Sequence, residues 1–119
     1  WTTPALLAGQ KTVTRRDWSP KHAAHFKAEM LVDAWNTSPR NVKGNPHKVA
    51  TIRLTQPVER SNKFPASDYE AEGLSWLAGH NYRIDSANPE HFWARWLIDR
   101  PSLYVVRFEV VEYLEGPLA

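Results

Sequence analysis

Residues 103–113 constrain the fold most, because hydrophobic side chains alternate there over most of eleven positions. Tyr104, Val106, Phe108 and Val110 share one parity, while Arg107 and Glu109 share the other. A period of two is the signature of a β-strand with one buried face. Such a strand must pair with others, and the chain supplies them. Val49 to Leu54 repeats the pattern, with Ala50, Ile52 and Leu54 on one face and Thr51 and Arg53 on the other. Met30 to Trp35 reads as a further strand, and the β-branched run Thr12-Val13-Thr14 favours extended backbone.

Helix signals separate these strands. Thr3-Pro4 opens a short helix closed by Gly9, and Ser19-Pro20 opens one running towards Phe26. Ser67-Asp68-Tyr69-Glu70 has capping-box form and predicts one helix to about Ala78, closed by Gly79. Asn88-Pro89 opens another, whose Phe92/Trp96 and Trp93/Leu97 pairs form a broad aromatic stripe. Core packing is the reading that stripe favours over base stacking. Asn36 to His47, rich in Pro, Asn, Gly and basic residues, reads as a loop. Strands interrupted by short helices within 119 residues point to one α+β domain, a small mixed β-barrel with flanking helices. The sequence begins at Trp1, directly before a helix start, so a short strand is expected upstream of this residue.

Composition narrows the function classes. There is no cysteine, which excludes a disulfide framework and a thiolate metal site. His22 and His25 can share a helix face, but His47, His80 and His91 are scattered, so no metal is expected. The five glycines form neither a phosphate-binding loop nor a dinucleotide turn, and no cofactor is expected. No apolar run approaches the ~20 residues of a membrane span, so a cytoplasmic protein without a membrane partner is expected. Residues 1–63 carry eleven Lys/Arg against four Asp/Glu, and residues 64–119 carry four against nine. Both a phosphate-bearing partner and charge pairing across the fold account for that asymmetry.

The chemistry concentrates in Gly9-Gln10-Lys11-Thr12-Val13-Thr14-Arg15-Arg16, with Trp18 beside it. Three cations and two hydroxyls within six residues can hold an anion, polarise a carbonyl or support nucleophilic attack by Thr14. One geometric objection stands: residues three apart on a regular strand point to opposite faces, so Lys11 and Thr14 converge only if the backbone bends. Glu72 is the second candidate. On the expected helix it lies between Tyr69 and Trp76, where a partly buried carboxylate needs a cation such as Lys11 or an arginine.

These segments resemble the ASCH family of the PUA-like superfamily. The likeness rests on Gly9-Gln10-Lys11-Thr12-Val13-Thr14-Arg15 and on Tyr69-Glu70-Ala71-Glu72-Gly73-Leu74. Val32-Asp33-Ala34-Trp35, Lys48 to Leu54 and Tyr104 to Glu109 follow in the family's order. The resemblance implies a PUA-like β-barrel spanning residues 1–119, with a cleft that engages RNA or a modified nucleoside. It is similar in particular to small bacterial amidohydrolases that deacetylate N4-acetylcytidine, and their Lys, second Thr and later Glu fall on Lys11, Thr14 and Glu72. Either Lys11 or Glu72 then serves as the base. Thr12, Arg15, Arg16, Trp18, Trp35, Arg53 and Tyr69 are the residues expected to bind substrate or RNA. A non-catalytic RNA-binding module and a ribonuclease are the alternatives. The Asn36–His47 loop and the tryptophan-rich segment 88–98 depart from the small amidohydrolases.

Overall fold

The computed structural model describes residues 2–36, 43, 45–84 and 86–114. Its elements are α1 (Thr3–Leu7), β1 (Val13–Arg16), α2 (Pro20–Ala23), β2 (Leu31–Trp35), β3 (Lys48–Leu54) and β4 (Glu59–Ser61), then α3 (Ser67–Ala71), α4 (Leu74–Gly79), α5 (Pro89–Asp99) and β5 (Leu103–Tyr113). The fold is α+β, and none of the described helices is long and apolar enough to cross a membrane. Most of the loop expected between Asn36 and His47 lies outside the described residues. Its base is closed by Asn36 and His47, whose backbone and side-chain hydrogen bonds are 3.1 and 2.8 Å.

The alternating strand β5 is the spine of the sheet. β1 pairs with its first half from Val13↔Arg107 to Arg16↔Tyr104, and β4 flanks the same stretch from the opposite edge. β3 pairs with the second half, and β2 with β3, giving the order β1-β5-β3-β2. Between Thr51↔Glu112 and Ile52↔Val110 the register slips, leaving Val111 as the extra residue of a bulge. Ahead of that bulge the expected alternation holds: Val106 and Phe108 are buried, and Val110 packs against them.

The expected mixed barrel is not formed. All described pairings are antiparallel, and β1 and β2 at the two ends do not meet among the described residues. Closure needs long, tilted strands with matched stagger, whereas β1 has four residues and β4 three. A helix occupies the position a closing strand would take. The Thr12 amide, just ahead of β1, donates to the Ala71 carbonyl at 2.8 Å, so α3 caps this edge.

The single helix expected from Ser67 to Ala78 is two helices, broken at Glu72-Gly73. Ser67 makes no capping bond, because α3 starts from Ala66 with no side-chain cap. Gly73 has φ +83°, and a Cβ there would lie 2.6 Å from the Ala5 Cβ, so the chain reverses where α1 packs closest. The helix-start signals at Ser19 and Asn88 act as expected: their side chains accept from the His22 and His91 amides at 3.1 and 2.7 Å. α2 is shorter than expected and stops at Ala23.

Two apolar clusters result. Ile52, Leu54, Val106 and Phe108 line the sheet with Leu6 and Leu7. Phe64, Leu74, Leu77 and Trp93 join the helices with Ala5. α1 therefore contributes to both, and each fully buried aliphatic side chain stabilises the fold by about 1.5–3 kcal/mol. Gly73→Ala is expected to cost about 2–5 kcal/mol, from the left-handed backbone and the Ala5 contact together. Urea unfolding of that variant checks it; stability within ~0.5 kcal/mol of the parent would show that α1 can move aside.

Candidate active site

The edge strand β1 carries the candidate chemistry. Thr14 stands opposite Val106 and Arg15 opposite Val105 on β5. Lys11 lies before the strand, which begins only at Val13. The left-handed Gly9 (φ +73°) and the bond from the Gln10 amide to the Ala5 carbonyl turn the chain there. Lys11 and Thr14 thus line one cavity of about 150 Å³ despite their spacing, together with Arg15, Arg16 and Glu72.

Lys11, Glu72 and Arg15 in the cavity lining begin an ionic ladder that runs on beyond it. Lys11 (4% exposed) donates to Glu72 Oε1 and to the Glu72 backbone carbonyl, both at 3.0 Å. Arg15 donates to Glu72 Oε2 at 2.9 Å and, through its other terminal nitrogen, to Asp68 Oδ2. Its guanidinium also lies 5.0 Å from the Phe64 ring centre and 5.9 Å from that of Trp96. Arg107 closes the ladder with a bidentate pair to Asp68 at 3.0 and 2.8 Å. The break between α3 and α4 turns the Glu72 carboxylate away from the expected aromatic stripe and towards these cations.

Burial lowers the proton affinity of Lys11 below the ordinary lysine value of 10.5. The charge and hydrogen bond of Glu72 push back, and the Arg16 and Arg15 charges add to the lowering. An ion pair with Glu72 and a weakened hold on the proton coexist here because burial outweighs the pair. Asp68 shows the reverse balance. Burial pushes its carboxyl up, but hydrogen bonds from Arg107 and Arg15 outweigh it, and the group stays below its ordinary 3.8.

The other walls were not legible as a site. Leu74, Ile84, Phe92 and Trp96 supply apolar surface, so part of the α5 aromatic stripe faces the cavity while Trp93 is core. Thr2 lines the cavity too; its hydroxyl is buried and has no hydrogen-bond partner among the described residues. Five of the expected binding residues lie elsewhere. Thr12 is exposed in a shallow pocket beside Gly9 and Glu70. Trp18 stacks on Phe26 at 4.5 Å against the sheet core. Trp35 ends β2 opposite Lys48. The Arg53 side chain is 41% exposed and pairs with Glu109 at 2.8 Å. Tyr69 packs edge-on against Trp93, and burial raises its hydroxyl above its ordinary value. Among the described residues no three His, Asp or Glu side chains gather as a metal site.

No protein-family model and no curated protein matches the chain. Its fold does have a known counterpart. The chain is similar to the crystal structure of an Enterococcus faecalis V583 protein assigned to DUF984, with a TM-score of 0.54 and 21% sequence identity. The match covers 98% of this chain and 75% of the enterococcal one. At this identity the likeness is one of fold.

Asp68→Asn leaves Arg107 without its carboxylate and Arg15 with one, and is expected to cost about 3–5 kcal/mol near neutral pH. The folded-state value of Asp68 lies below 3.8, so its contribution is present above 3.8 and lost as pH falls through that lower value. Denaturant unfolding over a pH series checks both parts: the gap between parent and variant closes in that acid window.

Proposed function

We propose that the cavity is the active site of an amidohydrolase that removes an acyl group from the exocyclic amine of a nucleobase, as in N4-acetylcytidine. The domain is then a PUA-like, ASCH-type module in which Lys11, Thr14 and Glu72 carry the reaction. The observation supporting this most directly is the double hold on Lys11: Nζ faces Glu72 Oε1 and the Glu72 carbonyl at 3.0 Å each. A neutral amine has two N–H bonds and one lone pair. The two acceptors take the N–H bonds, and the lone pair remains for a proton. Glu72 cannot neutralise Lys11 fully, because its second oxygen is held by Arg15.

Thr14 Oγ attacks the acyl carbon as its proton passes to Lys11 Nζ. The tetrahedral oxyanion collapses, the C–N bond breaks, and Lys11 returns the proton to the departing amine. Water then adds to the acyl-threonine by the same route, releasing the carboxylic acid and restoring Thr14. Thr2 lines the same cavity, and in this scheme its buried hydroxyl donates to the oxyanion. An exocyclic amine on an aromatic ring leaves more readily than an alkylamine, and Phe92 and Trp96, their rings inclined at 58° to each other, offer the ring apolar surface.

The grouping of Lys11, Arg15 and Arg16 beside two aromatic walls also favours a second reading, a pocket that binds a nucleoside or RNA without cleaving it. The assay separates the two. Incubation with N4-acetylcytidine is expected to release cytidine, and Lys11→Ala and Thr14→Ala each to reduce the rate about 100-fold or more. The rate should rise with pH as Lys11 loses its proton and level off below 10.5. Full activity in either variant would sink the mechanism. Salt-sensitive RNA binding with no cytidine release would establish the binding module instead.

A further inference from the structure

We propose that Asp68 and Arg107 are positioning residues: through the Arg15 guanidinium they set how much of the Glu72 charge is left to compensate Lys11. The inference deepens the amidohydrolase reading and rests on it for its catalytic meaning. It is carried by the alternation of charge along one continuous ladder: Lys11, Glu72, Arg15, Asp68, Arg107. Each carboxylate is shared between two cations. Arg15 is shared too, with one terminal nitrogen on each carboxylate.

Sharing gives the ladder its leverage. The Arg15 side chain is 1% exposed, walled by Phe64 and Trp96, with one further contact to the Lys63 carbonyl at 3.4 Å. It can lean towards Glu72 or towards Asp68, and any gain on one side is taken from the other. Arg107 occupies both Asp68 oxygens and keeps Asp68 from drawing Arg15 wholly to itself. Neither Asp68 nor Arg107 lines the 150 Å³ cavity. Arg107 opens instead into a separate cavity of about 240 Å³ beside Lys63 and Ser61, and its side chain is 32% exposed. The groups facing Lys11 itself are Glu72, Arg16 and Arg15, so the two distal residues reach it only through the shared pair.

Alternation dictates opposite signs for the two ends. Removing the Arg107 charge releases Asp68 to pull on Arg15, returns Glu72 to Lys11, and strengthens the hold of Lys11 on its proton. Removing the Asp68 charge leaves Arg15 wholly on Glu72 and weakens that hold. A residue that merely keeps the fold together would not shift the titration in opposite senses.

The test follows the titration of Lys11 by NMR in protein with ¹³C-labelled lysine, assigned with a Lys11→Arg variant. Arg107→Gln is expected to raise the midpoint and Asp68→Asn to lower it, each on the order of half a pH unit or more. Arg107→Lys should stay near the parent, and the double variant should return towards it. The alkaline limb of N4-acetylcytidine hydrolysis should move with the midpoint. Arg107→Gln alters a side chain that is about a third exposed, so it decides the matter even if Asp68→Asn fails to fold. An unchanged midpoint in Arg107→Gln, or shifts of the same sign in both single variants, would overturn the proposal. Shifted midpoints without hydrolysis in any variant would uphold the ladder and reject the amidohydrolase reading.

Discussion

The structure is organised around the pairing of Glu72 with two buried cations. Ion pairs in a protein interior gain little net stability, because desolvation offsets most of the attraction. Breaking one is costly nonetheless, since the partner is left charged and dry. The Lys11–Glu72–Arg15–Asp68–Arg107 ladder therefore acts less as cement than as a constraint on which arrangement can form. It joins the segment before β1, β1 itself, the end of α3 and the centre of β5. A shift of α3 by one residue would strand several charges at once, so the register of helix against sheet is fixed by electrostatics as much as by packing.

That constraint explains why the sheet stays open beside β1. The place where a closing strand would lie is held by the Ala71 carbonyl and by Glu72, which satisfy the Thr12 amide and the adjacent cations. Gly73 lets the chain leave α3 immediately after this contact and brings α4 against Ala5. Polar residues thus sit at the strand edge and apolar ones from α4 and α5 close over them. The cavity lies where the polar edge of β1 meets the helix cluster, whose Leu74, Ile84, Phe92 and Trp96 form its apolar side.

The sequence made the sheet largely legible and the site only in part. Period-two alternation placed β3 and β5 because both strands have one buried face, and side-chain capping located α2 and α5. The break at Glu72-Gly73 was hidden, because Gly73 follows a sound helical pattern and its reason, the approach of Ala5, is long-range. Lys11, Thr14, Arg15 and Arg16 were found in one chemically dense segment and Glu72 as a second candidate, and the fold brings them together. Asp68 looked like an ordinary acid in the first turn of a helix, and Arg107 like the polar face of a strand; neither carries a local signal of its partner 39 residues away. Trp18, Trp35 and Tyr69 were drawn into the site by their capacity to stack, but that capacity serves packing equally well. Trp96 and Phe92 were assigned to packing, and they serve packing and cavity together.

The size of the cavity then bears on what it can accept. At about 150 Å³ it is smaller than the 300–1,000 Å³ of most sites that enclose a whole ligand. On the amidohydrolase reading we propose, a nucleoside would present its reacting end there and keep its sugar outside. Recognition inside would then fall on two features: apolar surface from Phe92 and Trp96, and a polar side with Lys11 and Thr14. On the proposed reading those features would contact the acyl group and the ring that bears it while leaving the rest of the molecule unspecified. On that reading selectivity would lie in the length of the acyl chain, because each added methylene must fit beside Phe92 and Trp96, the latter backed by Trp93 and Phe64. A chain longer than the cavity permits would hold its carbonyl away from Thr14, whatever its affinity for the walls.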